Sequence, residues 1–318
     1  MANTKEYRRN LFTILTTVVI IIFCGGVYYY YFFFRQLNAK LIETIPTDAA
    51  FLFQINDNET FLKTVKKIHP YISPLFGLDA YPGCQFFVEQ LPGKYNQVVF
   101  SGHTFGETLS ILFACKINER AFKHLLTKLQ IDEKNCTQYE YCKIYTYGTH
   151  LKRFVFTYQK GIFIASENMV LLKKAIHQLK SVRNLTALKS FESVFEIMEK
   201  NTKQNWLTLN HDKYFTFFNT YFNPETNETL KRFSSSTLWS AYQFRFSNLE
   251  MMLYGYLSVN DNFNAIDLEL QAENTEYWST YLSEAGLKKF PVAKMKSFTF
   301  TVDSLNTQLY TASGLIQF

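Results

Sequence analysis

Proline and glycine are scarce in this chain, seven and twelve in 318 residues, and that scarcity excludes a collagenous, low-complexity or disordered protein. Cysteine is scarce too. There are five, without a Cys-x-x-Cys pair, so zinc-ribbon and thioredoxin-like chemistry lack their ligand spacing. No block of one charge exists: 33 Lys and Arg against 27 Asp and Glu give +6. The densest pairs are Lys173 with Lys174 and Lys288 with Lys289, and the interspersed charge predicts no nucleic-acid surface. The six histidines, His69, His103, His124, His150, His177 and His211, show no Glu or second His at metal-ligand spacing on one helix. Gly-x-Ser-x-Gly, Ser-x-x-Lys, Gly-x-Gly-x-x-Gly and the phosphate-loop pattern are absent. No metal, no cofactor and no enzyme of a short-motif class is expected.

What abounds is aromatic: 18 % of the chain, from 32 Phe, 21 Tyr and 3 Trp, within a composition that is 47 % hydrophobic and 19 % charged. Aromatic side chains favour pleated, half-buried surfaces, so a sheet-rich domain is expected. Leu11 to Phe34 contains no charge. As a helix it would reach about 36 Å, enough to cross a hydrocarbon layer of roughly 30 Å with some tilt. Tyr28 to Tyr31 would lie at one interface, and Arg35 stops the run. Phe23 before Cys24 does not suit a lipoprotein signal, and the apolar run is long for a cleavable one. The expectation is a cytoplasmic tail at 1–10, an uncleaved transmembrane helix at 11–34, and an extracytoplasmic domain at 35–318. The bilayer would be the partner of 11–34.

Four cysteines remain beyond that run: Cys84, Cys115, Cys136 and Cys142. The local pair, Cys136 with Cys142, is the disulfide candidate for an oxidising compartment, with buried free thiols as the alternative.

One pattern recurs along the domain: a short apolar strand, an Asn or Asp cap, then a helix with one apolar face. Ala50 to Ile55 begins it, with Asn56 to Asn58 and then Phe61, Leu62, Val65 and Ile68. Leu109 to Lys116 with Asn118, and Ile162 to Ala165 with Asn168, repeat it. Trp206 to Leu209 with Asn210 and Asp212 is a weaker fourth copy. Further strands are predicted at Gln97 to Ser101, Lys143 to Tyr147, Arg153 to Tyr158, Leu238 to Phe246, Met251 to Val259, Ile266 to Leu270, Ser297 to Val302 and Gln308 to Ala312. Strands arriving in groups, each followed by a helix, predict an α+β domain: mainly antiparallel sheet, helices on one face, duplicated strand-turn-helix units. A subdivision is placed at 181–186, and Asn223 to Ser236 reads as an exposed loop.

Ile45-Pro46-Thr47-Asp48-Ala49-Ala50 after an aromatic-ended anchor, then Gly161 to Ile176 and Asn184 to Asn210, occur in the order of an uncharacterised bacterial family. The chain resembles that family of membrane-anchored exported proteins, domain of unknown function three-three-five-two, and its Bacteroidetes relatives. The resemblance spans roughly Pro46 to Asn260 and implies export, with no activity. Anchor and resemblance together suggest a single-pass protein of a bacterial inner membrane with a periplasmic domain.

Few residues suggest chemistry. Ser101-Gly102-His103-Thr104-Phe105-Gly106 reads as a glycine-flanked connection between strands, with His103 solvated and non-catalytic. Asp212 reads as an N-cap. Phe215, Phe218, Tyr221 and Phe222 could line a groove for lipid or another apolar ligand, though their spacing also suits a core-facing helix. The sequence therefore favours a non-enzymatic, tethered scaffold or interaction protein of the cell envelope, with an unidentified envelope protein as partner. A binder of apolar ligands comes next, and an enzyme without a short motif third.

Overall fold

The computed structural model describes residues 2–29, 39–56, 97–105, 108–149, 152–181, 183–247, 250–259, 270–272, 283, 297–304 and 309–317. The chain forms two units, Met1–Lys40 and Leu41–Phe318. The first contains helix α1, Ala2–Tyr29. No helix among the described residues is long and apolar enough to cross a membrane. The helix starts among Lys5, Glu6, Arg8 and Arg9, and the aromatic end of the run, 30–34, lies outside the described residues.

The second unit is built on one thirteen-stranded sheet. A 3-10 helix, Leu41–Thr44, leads into β1, Ala49–Ile55. Then come β2, Val98–Phe105; β3, Thr108–Lys116; α2, Glu119–Lys128; β4, Thr137–Tyr139; β5, Cys142–Thr149; β6, Lys152–Gln159; β7, Ile162–Ser166; and α3, Met169–Gln178. They are followed by α4, Lys189–Lys200; β8, Trp206–Asn210; α5, His211–Phe218; α6, Pro224–Ser236; β9, Thr237–Ser247; β10, Glu250–Val259; β11, Leu270–Ala272; β12, Ser297–Ser304; and β13, Leu309–Gln317. The spatial order is β11-β12-β13-β10-β9-β8-β1-β2-β3-β7-β6-β5-β4, and every pairing is antiparallel. The α+β reading of the sequence holds.

Three of the four strand-cap-helix copies form as read. Asn118 Oδ1 accepts from Ala121 N at 2.8 Å, Asn168 Oδ1 from Val170 N at 2.9 Å, and Asn210 Oδ1 from Lys213 N at 3.4 Å. The fourth helix, after Asn58, lies outside the described residues. Asn210, not Asp212, caps α5; Asp212 pairs instead with Lys213 at 2.9 Å.

Three expectations are corrected. Helices cover both faces of the sheet rather than one. Phe122 of α2 stacks on Tyr158 at 4.9 Å and meets Phe156, while Phe191 of α4 packs on Trp239 and Met198 lies against Thr208. Following the register from Thr208 through Leu52, Ser101, Leu112 and Ser166 to Val155 places Phe156 on the opposite face from Thr208. No boundary falls at 181–186, because β8 pairs with β1 and carries the sheet straight through. And Asn223 to Ser236 is helix, not loop: Asn223 Oδ1 accepts from Thr226 N at 2.9 Å, Pro224 takes the first helical position, and Glu225 follows in the first turn.

Candidate functional site

His103 is the residue whose placement departs furthest from the sequence reading. β2 does not stop at Ser101 but continues to Phe105, which pairs with Thr108, so the connection is two residues and the histidine belongs to the sheet. Its ring is fully buried, as is Ser101 two residues earlier on the same face. Gly102 between them faces the other way, where a Cβ would come within 2.2 Å of the Phe51 ring. Glycine is required there by that ring, not by a turn.

Both ring nitrogens of His103 are engaged. Nδ1 lies 2.9 Å from Asp48 Oδ1, and Nε2 lies 2.9 Å from Ser101 Oγ. A carboxylate can only accept, so Nδ1 carries the proton, and Nε2 accepts from the Ser101 hydroxyl. Asp48 stands in the turn just before β1, whose start is irregular. The register passes from Ala49 opposite His103 to Phe51 opposite Gly102, so Ala50 is the extra residue of a bulge. The other carboxylate oxygen, Oδ2, accepts from Lys174 Nζ of α3 at 2.6 Å. Lys174 also sits over the Phe105 ring, 5.1 Å from its centroid. The result is a continuous relay, Ser101–His103–Asp48–Lys174, from the middle of the sheet to the surface.

Burial pushes the His103 imidazole below its ordinary value, and the hydrogen bond to Asp48 only partly opposes that. The ring is therefore neutral near pH 7. It still donates Nδ1–H to Asp48, whose carboxyl is held well below the usual range by that bond first and by Lys174 after it. The charge of the relay resides on the half-exposed Asp48 and Lys174.

Ser, His and Asp in this order, with both bonds at 2.9 Å, is the connectivity of a nucleophilic triad. The surroundings do not complete one. Ser101 is wholly inaccessible and lies in a row between Leu52 and Leu112, exposed to 1 % and 0 %. Because β2 runs between β1 and β3, the backbone N–H groups around Ser101 serve the two ladders and none is aimed at a developing oxyanion. The arrangement holds a ring in one tautomer and one orientation, and ties α3 to the start of β1.

A second buried histidine occupies the other half of the sheet. His211, first residue of α5, places Nε2 2.9 Å from Ser240 Oγ of β9. Burial alone pushes it down to about 3. Among the described residues no cluster of His, Cys, Asp and Glu could hold a metal ion.

The other residues singled out by sequence are scattered. Phe215, Tyr221 and Phe222 are half-buried along α5 and the 3-10 turn after it, and the side chain of Phe218 lies outside the described residues. The disulfide candidates are free thiols in this structure: Cys142 is buried at the start of β5, and Cys136 is half-buried before β4. The hairpin explains why. Thr137 pairs with Ile144, so one step further Cys136 faces Tyr145, three places from Cys142. At about 3.4 Å per residue that is roughly 10 Å, beyond disulfide reach.

No family model matches the chain, and no curated protein matches it. Among solved structures, crystal form I of TP0453 aligns at a TM-score of 0.44 and 9 % identity over 88 % of this chain and 94 % of that one. Form III gives 0.43 and 8 % over 88 % and 95 %. Form IV gives 0.40 and 11 % over 70 % and 81 %. Likenesses this remote support no conclusion about function.

Proposed function

We propose that this chain is a non-enzymatic, membrane-tethered extracytoplasmic domain that scaffolds or binds another component of the cell envelope. The observation that carries the non-enzymatic part is the sealing of Ser101: among the described residues, the serine with an activating histidine and carboxylate is buried away from any substrate. A nucleophile that cannot meet a carbonyl contributes order, not turnover. The tether rests on the uncharged stretch Leu11 to Phe34 and on the apolar side chains of α1, where Val18, Ile20, Ile22 and Phe23 are 48 % to 70 % exposed. The resemblance to exported proteins points the same way.

Incubation of the purified full chain with a fluorophosphonate probe tests the first part. No label on Ser101 is expected, and stoichiometric labelling abolished by Ser101→Ala would make the protein a hydrolase. Protease added to intact spheroplasts tests the second: the domain after Arg35 should be digested, and full protection would refute the orientation.

A reading as a binder of apolar ligands draws on the half-buried rings of Phe215, Tyr221 and Phe222, which keep part of their surface accessible. Lipid co-purifying with the domain in a fixed ratio would favour it.

A further inference from the structure

We propose that the β4 edge of the sheet, with Tyr141 and Lys173 beside it, receives an extended acidic segment of a partner protein as an added strand. This rests on the interaction reading above and names the surface and the chemistry of its partner.

β4 is the last strand in the sheet order, and Thr137 and Gln138 are exposed. Natural edges are blunted by shortness, charge or proline; β4 is short, but it reads Thr-Gln-Tyr and carries neither charge nor proline. Its backbone is set up to pair. Tyr139 and Cys142 close a two-residue turn, so Thr137 and Tyr139 direct their N–H and C=O groups to β5, while Gln138 directs its own outward.

The turn supplies an independent observation. Glu140 and Tyr141 both have positive φ, 47° and 66°, the conformation that favours Asn-Gly. The neighbouring β6–β7 turn adopts the same conformation with Lys160 and Gly161, the glycine standing where Tyr141 stands here. Unfavourable backbone held in place by its surroundings marks functional positions. His177 Nδ1 bonds Glu140 Oε1 at 3.0 Å, Lys180 binds the Glu140 carboxylate and backbone oxygen, and Lys180 Nζ lies 5.6 Å from the centre of the Tyr141 ring. The ring held this way is 100 % exposed. A wholly solvated tyrosine on a defined turn is the kind of residue that anchors interfaces.

Charge selects the partner. Thr137 and Tyr139 lie on the α3 face of the sheet, and Lys173 Nζ stands 5.1 Å over the Tyr139 ring. Alternate side chains of an incoming strand would project on this face beside Lys173, whereas Lys174 and Lys180 are already matched by Asp48 and Glu140. Carboxylates at every second position of the added strand fit that rim, and ammonium groups do not.

The test uses the full chain in detergent micelles and two synthetic ten-residue peptides, each with Val and Thr on one side and either Glu or Lys on the other. The acidic peptide should bind, protect the Gln138 amide from hydrogen exchange, and outbind the lysine peptide at least tenfold. Lys173→Glu and Tyr141→Ala should each weaken binding about tenfold at an unchanged thermal midpoint, and Gln138→Pro, which removes the outward-facing N–H, should abolish binding of the acidic peptide. Equal affinity for both peptides, or no protection at Gln138 at millimolar acidic peptide, would overturn the proposal. So would a concentration-dependent dimer abolished by Gln138→Pro, since the edge would then serve a second copy of this chain. Labelling of Ser101 would sink the non-enzymatic reading and leave this one standing; a silent edge would do the reverse.

Discussion

His103 and His211 make the same contact, a ring nitrogen 2.9 Å from a serine hydroxyl inside the sheet, and differ in what else surrounds the ring. The first half of the sheet gives His103 a carboxylate, which in turn reaches a surface lysine. In the second half, burial lowers the proton affinity of His211. Two buried imidazoles with the same serine contact therefore differ in what is seen to act on them, Asp48 on His103 and burial on His211. What distinguishes them is Asp48, in the turn just before β1, whose carboxylate meets the His103 ring.

Acid separates the two most strongly. A histidine held neutral in the fold takes up a proton more readily when unfolded, so its stabilising effect is complete above about pH 6.5 and is lost as pH falls. For His211 the loss would extend from there down to about pH 3, at about 1.4 kcal/mol per pH unit and about 5 kcal/mol in all. His103 shifts the same way, opposed by Asp48. Urea unfolding measured from pH 7.5 to 4 should show stability level down to about pH 6.5 and declining below it. His211→Gln should flatten the slope more than His103→Gln, and equal slopes would erase the contrast.

Asp48→Ala should come next, costing about 1–3 kcal/mol, because the buried Nδ1–H of His103 loses its acceptor. It should also steepen the acid dependence, since the group opposing the downward shift is gone. A smaller loss, about 1 kcal/mol, is expected for Ser101→Ala and Ser240→Ala alike; a large inequality would show that one hydroxyl has a task the other lacks. Lys174→Met should matter least, below about 1 kcal/mol, because both partners of that pair are more than 40 % exposed. Thermal melts of the four variants at pH 7.5 would rank them.

Much of this architecture was legible in the sequence, and particular residues explain where it was not. Strands β1, β3, β7 and β8, with the caps Asn118, Asn168 and Asn210, follow from apolar runs ended by asparagine. The relay was hidden because Gly102 suggests a turn, although it stands there to admit Phe51 from the neighbouring strand, a partner 51 positions away that no local pattern announces. Asp48 was equally opaque, since a carboxylate in the turn before a strand normally faces water. The helix at Pro224 was readable from Asn-Pro-Glu and was masked by the polar run after it. Neither β4, three residues long, nor the two-faced packing of the helices had a signal of its own.

The position of β1 carries a consequence for how the molecule is made. It is the first strand in sequence, yet one side pairs with β2 and the other with β8, whose Trp206 meets Gln54. At about 5–20 residues per second, a growing chain completes β1 roughly 10–30 s before β8 exists. During that interval the strand Ala-Ala-Phe-Leu-Phe-Gln-Ile is an apolar edge awaiting its neighbour, and the first half of the sheet cannot finish folding alone. Until β8 docks, that edge is open to pairing with any extended segment within reach, whether of its own chain or of another.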